Sequence, residues 1–244
     1  MRNIKLILQY NGSAYHGWQI QDNAVTVQET LQNAIFSLTG ERVSVNGCGR
    51  TDAGVHALGY VCNFGTRSKI PGEKFSHALN VHLPDDIVCI LSEEVSDSFD
   101  SKRSRAKTYS YVIHNSEFPD VFKNGMEWHF KQPLDIDAMK KAAEAFVGEY
   151  DFIGFASSGF TVKTTVRTIY SLTVEKYDNT VRIDVCGNGF LYNMVRIIAG
   201  TLVFCGIGKI NPDDIKEIIL SRDRTRAGIT APPDGLYLSE VFYQ

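Results

Sequence analysis

The sequence lacks the signatures that mark many common chemistries. It has no G-x-x-x-x-G-K-[ST] to cradle nucleotide phosphates, no G-x-G-x-x-G after a strand pattern and no G-x-S-x-G turn to expose a nucleophilic serine. The runs Gly187-Asn188-Gly189 and Gly206-Ile207-Gly208 lack the further glycine a dinucleotide site requires. The five cysteines, Cys48, Cys62, Cys89, Cys186 and Cys205, are odd in number and contain no C-x-x-C, so they read as reduced, mostly buried thiols of a cytoplasmic protein. The six histidines are scattered, and His77 and His82 lack the spacing that stacks two ligands on one helical face. Neither a metal nor a cofactor is expected. The longest apolar stretch, Ile197 to Ile207, is too short for a bilayer span, and the apolar start at Met1 to Tyr10 reads as a strand rather than a leader, so no membrane association is expected.

Charge of either sign is also scarce in the balance. The formal net charge is -3, so any surface for a nucleic acid must be local rather than global. The chain has 244 residues, 43% of them hydrophobic, enough for one large or two modest domains with a core that needs no disulfides.

Against this background one stretch stands out, Gly47-Cys48-Gly49-Arg50-Thr51-Asp52-Ala53-Gly54-Val55-His56-Ala57. Its glycines allow a sharp bend and close approach to a partner, and Val43 to Val45 and Val55 to Phe64 read as strands mounting the turn. Arg50 and Asp52, two apart, fall on one face of an extended segment, and the guanidinium would keep the acid ionised. An ionised aspartate so placed can serve as nucleophile, base or electrostatic stabiliser. It can equally be a turn in which Asp52 accepts backbone N–H bonds and Arg50 pairs with it. Composition and spacing leave both readings open.

Elsewhere the pattern alternates strands with amphipathic helices. Thr26-Val27-Gln28-Glu29 matches a capping box opening a helix to Gly40, with Val27, Leu31, Ala34, Ile35 and Leu38 inward. Pro71 begins a short helix through Asn80, and strands are expected at Ile87 to Leu91 and Tyr109 to Ile113. Asn115 to Pro133 reads as loop-rich, Leu134 to Val147 as a helix stopped by Gly148, and Asp151 to Phe155 as extended. Val166 to Val174 and Val181 to Val185 form a hairpin about Asp178-Asn179. Helices follow from about Phe190 to Phe204 and from Pro212, then a strand from Leu236 to Phe242. Strands, helix, strands thus occur twice, which predicts two α/β halves, residues 1–105 and 106–244, meeting at a shared sheet.

Two clusters concentrate positive charge. Lys102, Arg103, Arg105 and Lys107 lie within six residues, and Arg222, Arg224 and Arg226 alternate near the end of the chain. Such clusters can bind phosphates, with Trp18, Tyr109 and Tyr111 as stacking planes for unpaired bases, although a basic run is more often a solvated segment.

The ordered blocks then resemble a known family. Tyr10-Asn11-Gly12, His16-Gly17-Trp18-Gln19, Gly49 to Ala57, Asn80 to Ile87, Lys107 to Tyr111, Val147 to Phe152, Gly189 to Arg196 and Ala231 to Leu238 are similar, over essentially the whole chain, to the blocks of the tRNA pseudouridine synthase A (TruA) family. The resemblance implies an α+β pseudouridine synthase fold, two similar α/β halves around a mostly antiparallel central sheet with a cleft between them. It implies isomerisation of uridine to pseudouridine at positions 38, 39 and 40 of the tRNA anticodon stem-loop, without cofactor or metal, by a homodimer whose basic cleft holds the tRNA. Asp52 would be the catalytic aspartate, Tyr109 the stacking aromatic, Arg196 the arginine that pairs with Asp52, Arg50 a helper in base flipping and Leu191 part of the pocket floor. Trp18, Gln19, His56, Lys102, Arg103, Arg105, Lys107, Arg222 and Arg224 are the expected RNA contacts. Tyr60 departs from the usual Gln, and Phe99 to Tyr109 is slightly shorter than usual. The alternatives are a non-catalytic RNA-binding or RNA-folding protein, and a pseudouridine synthase acting on another RNA.

Overall fold

The computed structural model describes residues 1–159 and 162–243; Gln244, which ends the second expected half, lies outside them. In chain order the elements are β1 (Arg2–Tyr10), α1 (Val27–Thr39), β2 (Asn46–Gly47), β3 (His56–Thr66), α2 (Phe75–Leu79), β4 (Ile87–Val95), β5 (Ala106–Asn115), β6 (Trp128–Phe130), α3 (Ile136–Glu144), β7 (Gly148–Asp151), β8 (Val166–Tyr177), β9 (Thr180–Gly187), α4 (Met194–Gly206), α5 (Ile215–Ser221) and β10 (Leu236–Phe242). They fall into two units, Met1–Arg105 with Tyr237–Gln244, and Ala106–Leu236.

In the first unit β1 runs between β3 and β4, antiparallel to both, and β10 joins β3 in parallel through Tyr237 opposite His56 and Leu238 opposite Ala57. Alternation in β1 sends Ile4, Leu6 and Leu8 into the core, where all three are fully buried. The Thr26 hydroxyl accepts the Glu29 amide at 3.4 Å to start α1, and Gly40 ends the helix at φ 73°.

A buried amide relay fixes the far end of this unit. Asn63, in the middle of β3, donates to Asn3 Oδ1 at 3.0 Å and accepts the Ser101 amide at 3.0 Å. Ser101 is itself fully buried, donating to the Asn46 carbonyl at 2.8 Å and accepting the Tyr243 hydroxyl at 2.7 Å. Because a buried polar group left unpaired costs about 1–3 kcal/mol, these mutual bonds hold the segment that leads to Lys102 and Arg103 in one place.

In the second unit β5, β9, β8 and β7 are successive antiparallel neighbours, and β6 adds in parallel to β5. Alternation again sets the faces, burying Ile113, Val181, Ile183 and Val185. Nearly every residue of α4 is buried, the mark of a helix enclosed on all sides; α3 packs against it. Together these give a mixed, mostly antiparallel α+β architecture, as the sequence predicts.

Three local expectations change. Val43 to Val45 is not a strand: Gln32 Oε1 accepts the Val45 amide and Gln28 Nε2 donates to its carbonyl, so side chains of α1 occupy the groups a neighbouring strand would take. Asp151 to Phe155 is not extended throughout; after β7 the Asp151 carboxylate accepts the Ile153 amide and the Thr165 hydroxyl, and a single 3-10 turn follows at Ile153–Phe155. The helix expected from Phe190 begins at Met194, because Asn193 turns the backbone into the left-handed region at φ 61°.

Candidate active site

Asp52 sits half-buried in an irregular segment between β2 and β3. Its carbonyl accepts the Val55 amide at 3.2 Å, closing the turn, and Gly54 supplies the left-handed residue at φ 78°. Arg50, two residues before it, is exposed.

What holds the turn is a second loop, residues 11–18. Trp18 donates its amide to the Thr51 carbonyl at 3.1 Å, Gly54 donates to the Tyr15 carbonyl at 3.2 Å, and the Tyr10 and Thr51 hydroxyls lie 2.8 Å apart. Gly17 stands at φ 83°, and a Cβ there would strike the Thr51 carbonyl oxygen, so glycine is required twice over. The clamp is anchored in turn: the Tyr15 hydroxyl donates to Asp86 at 2.6 Å and the Asn11 amide to the Asp86 carbonyl at 2.9 Å. Burial, then the Asp86 carboxylate, pushes the Tyr15 phenol well above its ordinary pKa, so it remains a donor.

Beneath the turn Trp18 and Tyr60 stack with centroids 4.0 Å apart, and Tyr60 donates its hydroxyl to the Gly49 carbonyl at 2.5 Å. Gly47 lies against both rings, where any Cβ would collide with them. His56 is fully buried; its Nδ1 accepts the Gly12 amide at 3.0 Å, and its ring stacks on Tyr237 at 4.7 Å. A neutral imidazole with Nδ1 as acceptor is the tautomer this bond requires.

In the second unit Tyr109 lies half-buried on β5, meeting Phe190 edge to face at 5.3 Å. Arg196, in the first turn of α4, is half-buried. It donates through Nε to the Ala231 carbonyl at 2.7 Å and through Nη1 to Asn193 Oδ1 at 2.8 Å. Two bonds to a planar guanidinium fix its direction as well as its place. Leu191 is buried at the approach to this helix.

A sequence profile described as tRNA pseudouridine synthase matches residues 6–102 and 142–244. Proteins named tRNA pseudouridine synthase A from Acetivibrio thermocellus, Ruminiclostridium cellulolyticum and a Thermoanaerobacter species are 53%, 52% and 51% identical to this chain, each over the full length of both proteins. The chain belongs to the tRNA pseudouridine synthase A family.

The family blocks now acquire physical reasons. Residues 10–19, 49–57 and, through Asp86, 80–87 are separate in sequence yet form one clamp around the Asp52 turn. Trp18 and His56, expected as RNA contacts, have 3% and 0% exposure and serve as struts for that clamp. Trp18 is therefore not an exposed stacking plane, whereas Gln19 beside it is exposed. Tyr60, the departure from the usual family residue, is also fully buried and is a strut.

The two basic clusters differ. Lys102, Arg103 and Arg105 are exposed, with Arg103 reaching Asp100 only at 3.8 Å, and Lys107 is half-buried on β5. The other cluster is occupied internally: Arg222 pairs with Asp151 at 3.2 Å and Arg226 with Glu217 at 2.8 Å. Arg224 donates to the Gly228 carbonyl and the Thr230 hydroxyl, and lines an open cavity of about 560 Å³ with Ser157 and Ser158. The residues that sequence reasoning missed are the tertiary ones, namely Thr51, Tyr15 and Asn193. Thr51 adjoins Asp52 and Asn193 stands three residues before Arg196, but nothing local to either shows what its side chain meets. No helix among the described residues is long and apolar enough to cross a membrane.

Proposed function

We propose that this member of the family isomerises uridine to pseudouridine at positions 38, 39 and 40 of the tRNA anticodon stem-loop, with Asp52 as the catalytic carboxylate. The N1–C1' glycosidic bond breaks, the base turns while held, and C5 bonds to C1'; the C5 proton is lost and N1 gains one, so composition is unchanged. Such an enzyme must extract the base from its stack and keep both fragments in register. In this reading Asp52 acts at C1', Arg196 pairs with Asp52, Tyr109 stacks on the target base, Leu191 contributes to the pocket floor and Arg50 supports the flipped nucleotide. Exposed Lys102, Arg103 and Arg105 meet phosphates, as does Lys107; Arg222 and Arg224 have intramolecular partners to give up first. The protein acts in the cytoplasm as a homodimer.

The observation that carries this reading is the clamp on Asp52. The enzyme gains most from a carboxylate held in advance, since a misplacement of about 1 Å can cost roughly 100-fold in rate. Nothing in a plain structural turn asks for Gly17, Thr51, Tyr15 and Tyr60 to converge on it. Mapping pseudouridine in RNA from cells lacking the protein tests the substrate. Loss at positions 38 to 40 of tRNA is expected; loss confined to another RNA rejects the substrate, and no loss anywhere favours a non-catalytic RNA-binding role.

A further inference from the structure

Asn193 occupies an N-cap position but does no capping. Its backbone lies at φ 61° and ψ 7°, and its side chain accepts no amide of α4. Both ends of the carboxamide are used elsewhere: Nδ2 donates to Ser157 Oγ at 2.9 Å, and Oδ1 accepts Nη1 of Arg196 at 2.8 Å. Ser157 is held through its amide, which donates to the Tyr192 carbonyl at 3.1 Å. The Asn193 carboxamide is thereby fixed in orientation, with oxygen toward the guanidinium, since nitrogen there would face donor with donor.

The opposite side of Arg196 is held by main chain. Arg196 Nε donates to the Ala231 carbonyl, and the Ala231 amide donates back to the Arg196 carbonyl at 3.2 Å. The guanidinium therefore rests between one backbone oxygen and one side-chain oxygen, and those two bonds use two of its five N–H groups. An ordinary N-cap asparagine would adopt extended backbone and bond to the helix. Here a left-handed backbone is accepted so that the side chain points at Arg196 instead.

We propose that Asn193 is a positioning residue for the isomerisation, acting through Arg196, with Ser157 orienting it. This inference rests on the assignment of Arg196 as the cation of the active site. It concerns rate rather than affinity: a guanidinium released on one side samples other rotamers, which lowers kcat and leaves substrate binding nearly intact.

The test uses the full-length protein and a tRNA substrate. Asn193→Gly keeps the left-handed backbone at no steric cost, whereas Asn193→Ala strains it. Both are expected to lower kcat by about 10- to 100-fold with KM changed less than about 3-fold. Ser157→Ala is expected to cost less than either. In an Arg196→Lys background, itself strongly impaired, Asn193→Gly is expected to add less than about 3-fold. If Asn193→Gly turns over at the wild-type rate while Arg196→Lys is impaired, Asn193 serves only the backbone and the proposal is overturned. If Arg196→Lys is fully active, the assignment of Arg196 fails first and takes this inference with it.

Discussion

Tyr60 stacks on Trp18 with the ring planes 25° apart and hands its hydroxyl to the Gly49 carbonyl. Two buried aromatics thus carry the floor of the turn that displays Asp52. Tyr60→Phe keeps the stack and removes the hydrogen bond to the Gly49 carbonyl, so a loss of about 1 kcal/mol in urea unfolding is expected. Trp18→Ala removes a strut and leaves a cavity, at an expected cost of about 3–5 kcal/mol. Because Trp18 is buried, Trp18→Phe should leave tRNA affinity near wild type in a filter-binding titration.

Gly17→Ala probes the clamp from above. Its φ of 83° and the nearby Thr51 carbonyl both oppose a side chain. An expected stability loss of at least about 1 kcal/mol follows from the left-handed backbone alone. Single-turnover kinetics should show the rate of the chemical step falling with little change in tRNA affinity, since the substitution displaces Asp52 and not the basic surface.

Salt dependence separates the two basic clusters. Replacing exposed Lys102 or Arg103 by alanine is expected to reduce the slope of log K against log salt by about 0.7–0.9 for each phosphate no longer neutralised. Arg222→Ala breaks its pair with Asp151 and should alter the slope less. A wild-type slope for all three variants would show that none of these residues meets phosphate.

The thiols should differ sharply in reactivity. Burial pushes Cys89 and Cys205 up to about 12, and Cys62 well above its ordinary value. Since the thiolate is the nucleophile, these remain inert at a mildly alkaline pH of about 8, and half-buried Cys186 should be the first alkylated in the native protein, as read by mass spectrometry.

Acid stability should register Glu41. Its hydrogen bonds from the Thr66 hydroxyl at 2.7 Å and then the Arg67 amide lower its pKa below 4.5. A carboxylate with a depressed folded-state pKa contributes stability that is present above its unfolded value and lost as pH falls through the folded one. Thermal melts of Glu41→Gln should therefore lie below wild type at neutral pH and converge with it as pH falls through the lowered folded-state pKa of Glu41.

Much of this was legible beforehand, for a physical reason. Periodicity is local, so β1, α1 and the β8–β9 hairpin could be read from alternation, a capping threonine and a turn. Asp52 was conspicuous because few stretches gather glycines around an acid. Its supports were not, because Tyr10 meets Thr51, and Tyr15 meets Asp86, across long sequence separations that leave no periodic trace. Val43 to Val45 misled because glutamine side chains satisfy its backbone as a strand would. Trp18 and His56 misled because buried struts and RNA contacts draw on the same residue types.

The most direct test of the account is Asp52→Ala, assayed for pseudouridine formation in an anticodon stem-loop transcript alongside tRNA binding. No product above background is expected, with affinity within about 3-fold of wild type, as when an interaction made only in the transition state is removed. Turnover within about 10-fold of wild type would contradict it, because the Asp52 carboxylate would then be dispensable to the reaction.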